Sequence, residues 1–261
     1  SPKGDLHLPD IKATDDPSIV GTVDVVMFMV KNYDVENAAR AIGPMLGENT
    51  MVVTCQNGVS APDTLGAVIG VEKVVPGVAR FPGEIAAPGV IRHTAQSDHL
   101  SFGEYDGSMS QRCLTFQGAL LQAGTTAVVH ENIVHDLWIK FIGQSALSSI
   151  TALTRLDIGQ LRDNPASYQL FMDAMHEAET VGRAAIPDLP QDIVPSIWKV
   201  LNSFSPTMHA SMLDDLLRGR PIEVKYLSGE VVKLGKKYGV ATPIHSVFLA
   251  ALMPFADGAP I

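Results

Sequence analysis

Lys140, Gln144 and Ser148 stand four residues apart, so a helix through them carries all three on one stripe. Trp138 and the apolar Leu137, Phe141, Ile142, Leu147 and Ile150 surround them. A lysine beside an apolar helix face is partly desolvated, which makes its ammonium a readier proton donor near neutrality. The same side chain can equally snorkel out along a solvated stripe.

Other residues invite a comparable pair of readings. Gln56-Asn57-Gly58 follows an apolar run that reads as a parallel strand, and open α/β sheets bind ligands at that end of their strands. Asn57 could hydrogen-bond a small molecule there, or the triplet could be a tight turn. Lys31 ends an earlier strand on the same sheet edge and could meet a phosphate or face solvent. Ser211 could cap a helix or line a pocket. Glu223 opens a helical stretch, where the helix dipole favours a carboxylate without further function. Asp214, Asp215 and Arg218 read most simply as a solvated helix face. The eight histidines show no metal-ligand spacing, and no G-x-S-x-G nucleophile signal occurs.

These residues need a scaffold. Val23–Val30 and Thr50–Cys55 are β-branched and apolar, as suits strands covered on both faces. Between them Asp34–Leu46 carries apolar residues at helical spacing, and Ser60 can cap a helix through Leu65–Ile69. Strand, helix, strand and helix in this order predict a βαβ unit. Val74–Ala79, Gly89–Thr94 and His99–Gly103 read as short strands of an antiparallel extension. A helix over Gln111–Gln122 and a strand over Thr125–Val129 follow. From Glu131 onward the period is helical throughout, over Glu131–Leu153, Pro165–Ala185, Gln191–Asn202, Met208–Arg218, Ile222–Tyr238 and Pro243–Met253. Asn164-Pro165 is a cap followed by an N1 proline, and Gly239 is a helix stop. The expectation is a fold of α/β plus all-α class: a parallel-sheet domain over residues 1–129, then a helical domain over 130–261.

Composition narrows the partners. The 261 residues are 46% hydrophobic and 18% charged, with a net charge of −9. That balance repels nucleic acid and anionic membranes on average, so neither is an expected partner. No apolar run is long enough to span a bilayer and no signal peptide is visible. Two cysteines, Cys55 and Cys113, suit a reducing compartment, and a cytoplasmic protein is expected.

Taken in order, several segments resemble the ketopantoate reductase (2-dehydropantoate 2-reductase) family. They are Ser1-Pro2-Lys3-Gly4-Asp5, Asp24–Lys31, Gln56-Asn57-Gly58-Val59, Pro88-Gly89 with Phe102-Gly103-Glu104, and Trp138-Ile139-Lys140. Ser211-Met212 with Asp215, Gly219–Glu223 and Gly239-Val240-Ala241-Thr242-Pro243 complete the set. The resemblance implies a Rossmann-type domain and a 6-phosphogluconate-dehydrogenase-like helical domain, with the active site in the cleft between them. It implies NADP as cofactor, and reduction of 2-dehydropantoate to pantoate in pantothenate biosynthesis. Lys140 then matches the catalytic lysine and Glu223 the glutamate that orients substrate, supports the lysine and lies by the cofactor. Asn57 matches an asparagine near nicotinamide and substrate, Ser211 a substrate-binding serine and Lys31 a cofactor-contacting lysine. Gln144 and Ser148 occupy further substrate-binding positions. A homodimer is compatible with the resemblance.

Two departures are visible. The family opens with a strand and a G-x-G-x-x-G loop, whereas this sequence starts at a point matching the interior of the first domain; roughly seventy residues of the two-βαβ pattern have no counterpart. The dinucleotide-binding domain is therefore expected to be incomplete. In the pocket, Gln144, Ser148 and Met208 stand where the family often has asparagine. That change is compatible with a different 2-keto acid, and the missing loop with a non-catalytic binding or interaction protein.

Overall fold

The computed structural model describes residues 2–94 and 97–259; Ser1, the first residue of the amino-terminal match, lies outside them. The chain divides into two compact units. One comprises residues 1–30, 34–56 and 61–136; the other comprises 31–33, 57–60 and 137–261. The main division falls between Asp136 and Leu137, and two short early segments belong with the later unit.

The first unit is built on a five-stranded sheet. It contains β1 (Val23–Phe28), β2 (Leu46–Thr54), β3 (Val74–Arg80), β6 (His99–Phe102) and β7 (Thr126–Val129), in the order β1-β2-β3-β6-β7. β1, β2 and β3 run parallel, β6 is antiparallel to β3, and β7 is parallel to β6. Helices α1 (Val35–Ala41) and α2 (Ala61–Ile69) cover one face, where Val26, Phe28, Val35, Ala39, Val52, Leu65 and Val74 pack together. On the other face Met51, Val53, Val75, Leu100, Phe102 and Cys113 form a second core, with Cys113 supplied by α3 (Gln111–Gln122).

Several local expectations need correction. β1 is not covered on both faces: Asp24 and Met27 are exposed, because β1 lies at the end of the described sheet. The helix expected over Asp34–Leu46 stops at Ala41, since Pro44 lacks the N–H that would continue it; a 3-10 turn spans Gly43–Met45 and β2 starts at Leu46. Gly83–Ala87 forms β4, which pairs with β5 (Val90–His93) as a separate hairpin.

The second unit is helical. It contains α4 (Ile133–Thr154) from Leu137 onward, α5 (Ile158–Asp163), α6 (Pro165–Ala185), α7 (Ile193–Leu201), α8 (Ser211–Leu217), α9 (Ser228–Tyr238) and α10 (Pro243–Leu252). Asn164 caps α6 through Ala166 and Ser167 N–H, with Pro165 at N1, and Gly239 ends α9 in the left-handed region. The stretch read as one helix over Ile222–Tyr238 is broken: Glu223–Tyr226 is a 3-10 turn, Leu227 leaves helical geometry, and α9 starts at Ser228. Among the described residues no helix is long and apolar enough to cross a membrane.

A buried polar string ties four of these helices. His245 on α10 is fully buried; its Nε2 lies 3.0 Å from the Ala174 carbonyl, so Nε2 carries the proton. Nδ1 is then an acceptor for the Ser228 hydroxyl at 2.9 Å, and Ser228 Oγ accepts from Ser149 of α4 at 2.6 Å. Burial lowers the His245 pKa to about 4, against the partial opposition of the Ala174 carbonyl. An unfolded chain takes up this proton near pH 6.5 and the folded one only near pH 4, so stability is lost as pH falls through that interval. We expect a loss of about 3 kcal/mol between pH 6.5 and pH 4 from this residue. Urea titrations of wild type and His245→Gln across that range measure it: the variant should lack this component, and parallel pH profiles would contradict the assignment.

Candidate functional site

The carboxyl ends of β1 and β2 deliver two short segments, 31–33 and 57–60, to the helical unit. β1 ends at Phe28, and Lys31 and Asn32 follow within four residues; β2 ends at Thr54, and Asn57 and Gly58 follow. Gly58 is needed at its position because φ is +102° and an added Cβ would lie 3.0 Å from the Tyr226 carbonyl.

Glu223, on the 3-10 turn before α9, is 5% exposed. Its Oε1 accepts from the backbone N–H of Asn32 at 3.0 Å and from Asn32 Nδ2 at 2.8 Å. The same Nδ2 donates to the Asn57 carbonyl at 2.7 Å. Glu223 Oε2 lies 3.7 Å from Lys31 Nζ, which donates to Asp215 Oδ2 at 2.7 Å. Burial by itself would pull the Lys31 ammonium down, but the hydrogen bond to Asp215 and the charges of Glu223 and Asp215 outweigh it and hold the pKa above the ordinary lysine value.

The structure therefore brings Lys31, Asn57 and Glu223 together, and adds Asn32 and Asp215, neither of which reads as a site residue from its local sequence. Asp215 is buried rather than part of a solvated face, because Lys31 supplies its counter-charge and the Arg220 N–H bonds its carbonyl at 2.8 Å. Asn32 has no local signature, since its partner lies 191 positions away.

The remaining candidates lie on two other helices. Lys140 is half-buried on α4 between the fully buried pairs Phe141/Ile142 and the core residues Leu137/Trp138. One turn on, Gln144 Nε2 donates to Ser148 Oγ at 2.8 Å, and Ser148 is fully buried. Ser211 is exposed at the first position of α8 and takes no part in the hydrogen bonds around Glu223 among the described residues. Three residues before Ser211, Met208 accepts the Ile158 N–H on its carbonyl. His209, beside it, lies 2.7 Å from Asp157 and 3.5 Å from Asp214; burial opposes its charge, but the two carboxylates prevail and raise its pKa.

On the first unit, Gln56 closes the end of β1: its Nε2 donates to the Phe28 carbonyl at 2.7 Å and the Val30 carbonyl at 3.1 Å. Among the described residues its Oε1 is buried without a hydrogen-bond partner.

Asp215→Asn removes the main support of the Lys31 ammonium while leaving its burial. We expect Lys31 to be acylated faster than in wild type at one alkaline pH, with exposed Lys199 unchanged as the internal reference. Peptide mass spectrometry reads the ratio, and an unaltered Lys31 rate would contradict the pairing.

Comparison with known proteins gives these residues a setting. Residues 1–107 match the family model described as ketopantoate reductase PanE/ApbA, and residues 132–255 match its C-terminal counterpart. The 2-dehydropantoate 2-reductase of Aquifex aeolicus is 29% identical over 254 residues, covering 93% of this chain and 79% of that protein. A crystal structure of a PanE/ApbA family ketopantoate reductase from Ralstonia eutropha JMP134 superposes with a TM-score of 0.85 at 29% identity, covering 94% of this chain and 80% of that one. The fold is also that of 2-dehydropantoate 2-reductase from Geobacter metallireducens GS-15, with a TM-score of 0.90 at 22% identity over 96% of this chain and 83% of that one. The chain belongs to the ketopantoate reductase family, and the family is one of oxidoreductases.

Proposed function

We propose that the protein reduces the keto group of a small 2-keto acid, with ketopantoate, converted to pantoate in pantothenate biosynthesis, as the first candidate substrate. The observation that carries this reading is the joint presence, in one unit, of a half-buried Lys140 on a buried helix and a buried Glu223 held beside Lys31 and the Asn57 segment.

NADPH is the proposed cofactor and supplies the hydride when bound. The residues present suit its nicotinamide half. Gln56 Oε1 is a buried acceptor lacking a donor, which matches a carboxamide N–H, and Asn57 follows at the end of β2, where α/β sheets bind ligands. Lys31 keeps 38% of its side chain exposed, so it can also reach a phosphate oxygen. The sequence contains no G-x-G-x-x-G turn, and no residue is assigned to the pyrophosphate.

Hydride addition to the keto carbon leaves an alkoxide. In this reading the Lys140 ammonium stabilises that oxygen and then protonates it, giving the 2-hydroxy acid and a neutral amine that solvent reprotonates. Glu223 orients substrate and supports the lysine, Asn57 lies by both nicotinamide and substrate, and Ser211, Gln144 and Ser148 contact the substrate's polar groups.

One observation favours a related substrate. Gln144 spends one of its two amide hydrogens on Ser148, and Met208 offers no side-chain donor, so fewer amide N–H groups are left for a hydroxylated keto acid. A panel of 2-keto acids assayed by NADPH oxidation separates the two: preference for ketopantoate supports the first reading, and preference for a 2-keto acid without the hydroxyl supports the second. Under either, Lys140→Ala should lower kcat by about 10²–10⁴-fold. Near-normal kcat in that variant would remove Lys140 from the chemistry.

A further inference from the structure

Asn32 is 5% exposed and donates both hydrogens of its amide nitrogen to the protein. A primary amide nitrogen has two hydrogens in one plane. One meets Glu223 Oε1 at 2.8 Å and the other the Asn57 carbonyl at 2.7 Å. The backbone N–H of the same residue donates to the same Glu223 oxygen at 3.0 Å. Two donors from one residue therefore saturate one edge of the carboxylate. The other oxygen, Oε2, faces the Lys31 ammonium at 3.7 Å.

We infer that Asn32 is a positioning residue for Glu223: it fixes the rotation of the carboxylate, with the Asn57 carbonyl as its own anchor, so that Oε2 is presented toward substrate and lysine. This rests on the reading of Glu223 given above. A free glutamate side chain must give up the freedom of several torsions to act in one geometry, and a bond that holds it before substrate arrives removes that penalty from the reaction. The residue type matters. Aspartate at position 32 would set carboxylate against carboxylate, and serine is too short to bridge two acceptors. Lys31 cannot substitute for the clamp, because its own short bond goes to Asp215 at 2.7 Å.

The test is a double-mutant cycle on the full chain, with NADPH oxidation by the preferred 2-keto acid as readout. The variants are Asn32→Ala, Glu223→Ala and the pair. Asn32→Ala is expected to lower kcat/KM by about 10- to 100-fold, the scale of a misplaced catalytic group. If Asn32 acts through Glu223, the pair is no slower than Glu223→Ala alone. A merely structural contribution would instead multiply the two losses. Asn32→Ser replaces Asn32→Ala if the alanine variant fails to fold, judged by its thermal midpoint, and should show the same non-additivity. Multiplied losses, or an unaffected Asn32→Ala, overturn the inference while leaving the functional reading intact. A wild-type protein that oxidises NADPH with no 2-keto acid overturns that reading and the inference together.

Discussion

A carboxylate removed from water must be given donors, and much of the site's architecture follows from that demand at Glu223. An unpaired charge at 5% exposure would cost several kcal/mol. No neighbour on the 3-10 turn Glu223–Tyr226 provides its hydrogen bonds; the donors come from Asn32, 191 positions earlier, with Lys31 close to the second oxygen. This explains why residues 31–33, although they directly follow a strand of the sheet, belong with the helical unit, and why 57–60 join them through the Asn57 carbonyl. Lys31 transmits the same constraint onward to Asp215, whose burial is otherwise hard to reconcile with its charge.

The helix that carries Lys140 solves a different problem. α4 is buried along most of its length, including Ser145, Ser148, Ser149 and Thr151. Each of these hydroxyls is satisfied: Ser145 and Thr151 on carbonyls one turn back, Ser148 by Gln144, Ser149 on Ser228. A rigid helix with its polar groups locked in this way holds a lysine more exactingly than a loop would. The bond from Ser149 to Ser228 also fixes the start of α9, five residues after Glu223, against the lysine-bearing helix.

The sequence made the architecture legible where local chemistry decides the structure. Asn164-Pro165 marks the start of α6 and Gly239 the end of α9 because capping depends on residues within one turn. The runs Val23–Val30 and Thr50–Cys55 identify strands because their apolar content fits nothing else at that length. Local signals mislead where a second one overrides the first. Pro44 cuts the first helix short, and the capping box of Asp157 and Gln160 starts α5 where apolar periodicity predicts no helix. The break at Leu227 has no breaker residue; it follows from placing Glu223 and Ser228 on separate partners. For the candidate site, ordered motifs mark Lys31, Asn57 and Glu223, whereas Asn32 and Asp215 join them through contacts across long stretches of chain that no spacing rule encodes.

Reduction of a 2-keto acid is the chemistry proposed for this arrangement. Its most direct measurement is the product of the protein incubated with ketopantoate and NADPH carrying deuterium at the transferable position. The expected product is a 2-hydroxy acid with deuterium on the carbon that bore the keto group, one per NADPH consumed. Unchanged ketopantoate, with no deuterated 2-hydroxy acid from any 2-keto acid supplied in its place, would contradict it.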